Sequence, residues 1–114
     1  MSGTGVIECE GREIALDADG HLIDCSDWSR SLADTMASQD GLTLTDDHWW
    51  LIDFVRNHHA RYGTPPLIRV AIGALRQARA DPTITSRALY RLFNDNPIRE
   101  ACRLAGYPKP DWCI

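Results

Sequence analysis

Two cysteines near the end of the chain have the type and spacing that favour chemistry. Cys102 lies in the segment PIREACRLAG, and Cys113 is the next-to-last residue, eleven positions further on. A thiolate attacks sulfur, and its reactivity follows its degree of ionisation and its exposure. Eleven extended residues span at most about 36–40 Å, so Cys113 can reach outward or fold back to Cys102. The pair is typical of a thiol carried on a tether.

The residues around the two cysteines predict a helix followed by an arm. Residues 97–105 have an apolar helical face that includes Cys102, and Gly106 is typical of the position after a last helical turn. Pro108 and Pro110 exclude a helix beyond it and favour an extended polyproline conformation. We therefore expect a helical body that carries a mobile arm.

Each cysteine has a functional and an ordinary interpretation. Asp111 and the terminal carboxylate oppose ionisation of Cys113, so we hypothesise that a positive pocket in a partner activates this thiol. Cys102 is either a small buried side chain or a resolving thiol that meets Cys113 when the arm folds back. Arg99 and Arg103 either favour the Cys102 thiolate or are ordinary charges on the helix surface.

The remaining candidate ligands do not form a metal-binding pattern. Cys9 and Cys25 belong to no C-x-x-C pair, and we expect Cys9 to be a packed residue of a strand. The four histidines, none spaced with a cysteine as zinc ligands are, are His21, His48, His58 and His59. We therefore predict no metal site. The helix histidines would have functional interest only if they converge on a common feature.

The first part of the chain predicts a small sheet. Residues 6–9 and 12–16 alternate apolar and polar side chains around the turn Glu10-Gly11, which is the pattern of a β-hairpin. A further short strand is expected at 21–24. Helices are predicted over the rest of the chain.

The helices are expected at 28–39, 46–62, 65–78, in a short stretch that includes Leu89, Leu92 and Phe93, and at 97–105. Their expected capping residues are Asp27, Thr45, Thr64 (with Pro65 as the first helical residue), Thr85 or Thr83, and Asn96. The apolar side of the second helix is predicted to hold Trp49, Ile52, Phe54, Val55 and His59, and that of the third Leu67, Val70, Ala71, Ala74 and Leu75.

Length and charge fit a single domain with a protein partner. The chain has 114 residues, of which 44% are hydrophobic, and no apolar run of bilayer length or secretory signal is visible. We therefore expect a cytoplasmic protein without membrane contact. Residues 1–64 carry four Arg against twelve acidic residues, whereas residues 65–114 carry eight Lys and Arg against four. This asymmetry favours docking to an acidic partner, or less readily to an anion.

The segments QDGLTLTDDHWW, ALYRLF and CRLAGYPKPDWCI are collinear with, and resemble, the DsrC/TusE sulfur-relay family. The resemblance implies an α+β, mostly α fold: a hairpin region (1–26) on an orthogonal bundle of about five helices with a helix-turn-helix-like unit (27–106), and a flexible cysteine arm (107–114). All three regions would form one domain.

The resemblance also implies a role for each site residue. Cys113 would carry sulfur as a persulfide or in a trisulfide, and Cys102 would be the second cysteine, which places the chain nearer the two-cysteine DsrC type. Arg99, Arg103 and Lys109 are supporting candidates. The implied partners are sulfurtransferases of the DsrEFH/TusBCD kind and an acceptor such as sulfite reductase, in sulfur oxidation, sulfite reduction or tRNA 2-thiolation. The resemblance further implies that such a protein is more a substrate than a catalyst and that no bound cofactor does the chemistry.

Some residues depart from the family pattern, and two other functions stay open. Asp111-Trp112 replaces a compact pair before the last cysteine, and Arg99 stands where lysine is common. One alternative is a DNA-binding helix-turn-helix module that uses the arginines of residues 64–93, although the pI of about 5.4 opposes it. The other is a thiol redox switch that carries no sulfur.

Overall fold

The computed structural model describes residues 5–93 and 96–107, which form a two-stranded sheet and five α-helices. In chain order these are β1 (Gly5–Cys9), β2 (Arg12–Leu16), α1 (Arg30–Gln39), α2 (Asp46–Tyr62), α3 (Ile68–Arg79), α4 (Ser86–Tyr90) and α5 (Pro97–Leu104), with a 3-10 turn at Cys25–Asp27 before α1. A hairpin followed by helices confirms the predicted α+β, mostly α class.

The N-terminal hairpin forms as the alternation predicts. β1 and β2 pair antiparallel with Ile7 opposite Ile14, and both side chains are buried. Glu10 and Gly11 make the turn with φ of 52° and 77°, the left-handed region that tight hairpins require. The strand expected at 21–24 is wrong: a single bridge between Leu16 and Leu22 is found there, because the chain turns away into the 3-10 segment.

Helix α1 starts two residues later than expected. Asp27 does not cap it, because this residue belongs to the 3-10 turn. The cap is Ser29, whose hydroxyl accepts a hydrogen bond from the Leu32 amide at 3.1 Å. Trp28 is therefore extended and outside the helix, with ψ of 141°, and its side chain is available to contact α5.

Helix α2 has the expected ends, with Thr45 before it and Gly63 after it, but its buried side is displaced. Three apolar side chains on α2 are fully buried, namely Leu51, Ile52 and Val55. Trp49, Phe54 and His59, which were expected on that side, are only partly buried.

Helix α3 starts at Ile68, three residues after the predicted Pro65. Two consecutive prolines explain the difference, because a residue that precedes proline is disfavoured in the helical conformation. The later start also corrects the predicted apolar stripe. Leu67 and Val70 are exposed, and the buried residues of this helix are Ala71, Ile72 and Leu75.

The core gathers around α5, which packs against α1 and α2. The Asn96 carboxamide caps this helix by accepting the amides of Ile98 and Arg99, with Pro97 in the first turn as predicted. No helix among the described residues is long and apolar enough to cross a bilayer. The short helix that carries Cys102 is thus the central element of the body.

Candidate functional site

Cys102 lies on the buried face of α5. Its neighbours on that face, Ile98, Ala101 and Leu104, are also 0% exposed, as is Cys102 itself. The predicted apolar face is confirmed, and Cys102 fills core volume as a small side chain does. A thiol in this position reacts with a visiting sulfur only after the structure around it opens.

Gly106 ends α5 in a Schellman motif. The Tyr107 amide donates to the Cys102 carbonyl at 2.9 Å, the Gly106 amide donates to the Arg103 carbonyl at 3.3 Å, and Gly106 has φ of 85°. A Cβ at Gly106 would lie 2.7 Å from the Trp28 indole, so this position needs glycine for its conformation and for its space. Tyr107, the last described residue before Cys113, therefore lies beside the Cys102 backbone.

Side chains from elsewhere in the sequence bind the last carbonyls of α5. Trp28 Nε1 donates to the Leu104 carbonyl at 2.7 Å, and Arg56 Nη1 donates to the Ala105 carbonyl at 2.7 Å. The Arg56 guanidinium also lies 3.7 Å from the centre of the Trp28 ring, a cation–π contact. Helix ends leave such carbonyls without intrahelical partners, and here two donors satisfy them.

Tyr107 is held by both α2 and the N-terminal region. Nδ1 of the buried His21 donates to the Tyr107 carbonyl at 2.8 Å, and the His59 ring stacks on the Tyr107 ring with centres 3.9 Å apart. The Tyr107 hydroxyl donates to the Arg56 carbonyl at 3.5 Å. We call these five residues, His21, Trp28, Arg56, His59 and Tyr107, the arm-base cluster.

The arm-base cluster was not predicted from the sequence. The histidines were noted as significant only if they converged, and His21 and His59 do converge on Tyr107. His48 and His58 do not: His48 Nε2 donates to the Leu92 carbonyl, and His58 Nδ1 donates to the Thr64 carbonyl. No local pattern identifies Trp28 or Arg56, because their bonds to α5 span 76 and 49 residues.

The two arginines proposed to support Cys102 have other contacts. Arg103 pairs with Asp40 and with Glu100, and its side chain is only 12% exposed. Arg99 lines a cavity of about 210 Å³ together with His21 and Glu100. Since two carboxylates offset the charge of Arg103, we expect its influence on the Cys102 thiolate to be small. Its supporting role stays a prediction, as does that of Arg99.

The other predicted site residues, Cys113 and Lys109, lie outside the described residues. Of the remaining thiols, Cys9 is buried and accepts a contact from the Thr35 hydroxyl at 3.8 Å, as a packed strand residue does. Cys25 is exposed. Within 5–93 and 96–107 no three His, Cys, Asp or Glu side chains gather as metal ligands would.

Comparison with known proteins gives one consistent family. The family model described as "DsrC like protein" matches residues 8–114. A protein named "Sulfurtransferase TusE" from Pectobacterium atrosepticum is 43% identical over 109 residues, which cover 96% of this chain and 100% of that protein. The protein of the same name from Escherichia coli K12 is 39% identical over 105 residues, 92% of this chain and 96% of that protein.

Comparison with solved structures indicates the same family. The NMR structure of Allochromatium vinosum DsrC has a TM-score of 0.84 and 39% identity, covering 97% of this chain and 99% of that one. The crystal structure of the oxidized γ-subunit of the dissimilatory sulfite reductase (DsrC) from Archaeoglobus fulgidus has a TM-score of 0.87 and 30% identity, covering 96% and 100%. The likeness thus extends over both the hairpin and the helical body.

Proposed function

This chain belongs to the DsrC-like family, and we propose that it is a sulfur carrier in which Cys113 bears the transferred sulfur as a persulfide. The observation that carries the proposal is the family match over residues 8–114, because this range includes Cys113. The alternative of a DNA-binding module gains no support, since the relatives carry sulfurtransferase and sulfite reductase names.

The structure of the helical body supports this role at the position where the predicted arm begins. The thiol of Cys102 on α5 is fully buried, and Tyr107, the last described residue, is bound by the His21 and His59 rings and by the Arg56 carbonyl. A carrier needs this combination of a fixed base and a thiol that enters the pockets of other proteins. Prolines in the arm reduce the entropy that is lost on insertion.

The chemistry is exchange at sulfur. The Cys113 thiolate attacks the outer sulfur of a donor persulfide, the donor leaves as its thiolate, and Cys113 becomes a persulfide. An acceptor thiolate then attacks the outer sulfur on Cys113 and restores the Cys113 thiolate. In a fold-back step, the Cys102 thiolate attacks Cys113 Sγ and expels hydrosulfide, so that two thiols are oxidised to a disulfide while the sulfane sulfur is reduced.

Partners and location follow from the same proposal. The donors are sulfurtransferases of the DsrEFH/TusBCD kind, the acceptor is an enzyme such as sulfite reductase or one that thiolates tRNA, and exchange takes place in the cytoplasm. Four cysteines in a reducing compartment stay available as thiols unless a partner oxidises them. The basic second half of the chain offers the charge that an acidic partner surface would recognise.

A loading-and-release experiment tests the proposal. The protein is incubated with inorganic polysulfide, desalted, and followed by intact mass and by hydrosulfide release. Wild type should gain the mass of sulfur and then release hydrosulfide as its disulfide forms. Cys113→Ser should not load at the arm, and Cys102→Ala should load without releasing. Equal loading of Cys113→Ser would contradict the carrier role, and equal release from Cys102→Ala would contradict the fold-back step.

A further inference from the structure

We propose that the groove between α2 and α3 is a docking site for an acidic amphipathic helix of a partner protein. The groove encloses a cavity of about 590 Å³ between the second half of α2 and the facing side of α3. Among the described residues, neither a cysteine nor a member of the arm-base cluster lines it. The inference therefore goes beyond the transfer of sulfur, and it holds or fails whether or not Cys113 carries sulfur.

One wall of the groove is a row of aromatic side chains on α2. Phe54, His58 and Tyr62 recur every four residues, and the centres of neighbouring rings lie 6.2 Å and 4.6 Å apart. Residues four apart share a helix face, so the three rings follow the groove along its length. Tyr62 is 60% exposed. This wall therefore offers aromatic surface that the described part of the chain leaves uncovered.

The opposite wall, on α3, contains two small residues, Gly73 and Ala74. Glycine destabilises the interior of a helix relative to alanine. At Gly73 no positive φ requires it, and an added Cβ would meet no atom within 4 Å. A helix that approaches from outside does benefit, because the side chains at a contact set how close two helix axes can come. Gly73 thus indicates an occupant that the described residues do not supply.

Exposed apolar side chains continue the groove past Arg69. Arg69 lines both this groove and a second cavity of about 260 Å³, which Leu67 and Tyr90 also line. Among the described residues six large apolar side chains are exposed, and four of them border these two cavities. Those four are Tyr62, Leu67, Val70 and Tyr90. Exposed apolar surface that gathers in one place, unlike side chains scattered singly, marks an interaction site.

The charges of the groove select the class of partner. Arg61 and Arg69 line it, no Asp or Glu of the described ranges does, and neither guanidinium makes an ion pair with a described residue. An apolar groove flanked by two arginines fits a helix whose apolar face is edged by carboxylates. Single-stranded RNA fits less well, because phosphate contacts dominate its affinity and the chain has a net charge of −4. The groove therefore favours an acidic protein segment over a nucleic acid.

Two synthetic peptides test the inference by NMR titration of the isotope-labelled full chain. Each has about 18 residues, more than the length below which isolated helices are marginal, with leucines along one face. One peptide has glutamates beside the leucines, and the other has lysines at the same positions. The acidic peptide should shift the amide signals of Val70 and Gly73 and bind at least about fivefold more tightly than the basic one. Overall charge would favour the basic peptide, because the protein is negative, so this preference reports the groove itself.

Two variants and a matched control separate the groove from the rest of α3. Gly73→Trp fills the groove and should weaken binding of the acidic peptide at least about tenfold. Ala78→Trp adds the same bulk at an exposed position of α3 outside the groove, and should bind as the parent protein does. The double variant Arg61→Glu/Arg69→Glu should reverse the preference, so that the basic peptide binds more tightly. Equal affinities of Gly73→Trp and Ala78→Trp, or no reversal in the double variant, would overturn the inference.

Two further titrations compare the acidic helix with other occupants of the groove. An oligouridine of about 12 nucleotides should leave the groove signals unchanged, and RNA that shifts them at lower concentrations than the acidic peptide would overturn the inference. Dilution of the protein alone should also leave them unchanged, because concentration-dependent shifts would assign the groove to a second copy of the chain and overturn the inference.

Polysulfide loading of Cys113 on the same samples keeps the two proposals apart. All the groove variants should load sulfur as the parent protein does, since no lining residue is a cysteine. Normal loading with no groove shifts at about 1 mM acidic peptide rejects the docking site alone. Absent loading in every protein, with groove shifts present, rejects the carrier function and supports the docking site.

Discussion

At the scale of single residues, Gly106 carries two separate constraints. Its φ of 85° belongs to the left-handed region, and an added Cβ would lie within 3 Å of three Trp28 atoms. Gly63 offers a matched comparison, since it also ends a helix with φ of 73° but has open space around the Cβ position. The backbone and steric contributions can therefore be measured apart.

Gly106→Ala should destabilise the protein by clearly more than Gly63→Ala. The conformational cost alone is about 1 kcal/mol at either position, and only Gly106→Ala must also displace the Trp28 indole. Urea unfolding followed by circular dichroism gives both free energies of unfolding. Equal losses in the two variants would show that the close approach of Trp28 has no energetic effect.

The cysteines differ in exposure, and this predicts their order of modification. Cys25 is exposed, whereas Cys9 is 7% and Cys102 0% exposed. In the folded protein, iodoacetamide should modify Cys9 and Cys102 more than about tenfold more slowly than Cys25, because their reaction waits for local opening. Peptide mass spectrometry over time gives the rates, and denaturant should remove the difference. Modification of Cys102 as fast as Cys25 in native buffer would contradict its burial.

The Asp24 carboxylate gives a test by pH. Hydrogen bonds from the Ser26 hydroxyl and the Ser26 amide lower the pKa of Asp24 below its ordinary value of 3.8. A lowered folded-state pKa stabilises the fold above the unfolded pKa, and this contribution disappears as pH falls through the folded pKa. NMR titration should show the low value, and Ser26→Ala should raise it. An identical Asp24 pKa in both proteins would exclude the hydroxyl as its cause.

At the scale of elements, His48 ties the start of α2 to the segment after α4. Its Nδ1 accepts the Thr45 amide at 3.0 Å, and its Nε2 donates to the Leu92 carbonyl at 2.6 Å. The same ring meets Phe93 edge to face, with centres 5.2 Å apart. This buried histidine is thus a structural connector between distant parts of the helical body.

Loss of the His48 side chain should destabilise the protein. We expect His48→Ala to lower the free energy of unfolding by about 1–3 kcal/mol, because the partly buried Leu92 carbonyl and the Thr45 amide lose their partners together. Asn57→Ala, an exposed change on the same helix, is the control. Thermal and urea unfolding should agree, and losses of the same size in the two variants would show that the hydrogen bonds of His48 add no stability.

Element boundaries were predictable where their cause is local. Asn96-Pro97 and Gly106 fix both ends of α5 through bonds that span five residues or fewer, and these predictions are confirmed. The start of α3 was wrong because the second of two prolines extends the chain before it. The arm-base cluster was unpredictable for a different reason: Trp28 and Arg56 meet α5 only through the tertiary fold.

At the scale of the whole molecule, the body is organised to hold one short helix. β1 and α1 pack against each other in the core. Two side chains of α2, Arg56 and His59, contact the residues that follow α5, and so does His21 from the loop after β2. The hairpin, bundle and family follow from the sequence and are confirmed. The division into regions 1–26, 27–106 and 107–114 stays a prediction, as do the roles of Cys113 and Cys102.

The most direct test of the carrier function is a peptide-level map of which of the four cysteines holds sulfur after exposure to polysulfide. The folded protein is loaded, trapped with an alkylating reagent at once, digested, and analysed by tandem mass spectrometry. The proposal predicts the mass of an added sulfur on the peptide that contains Cys113, with little on the peptides that contain Cys9 and Cys102. Sulfur on Cys25 with none on Cys113 would contradict the proposal.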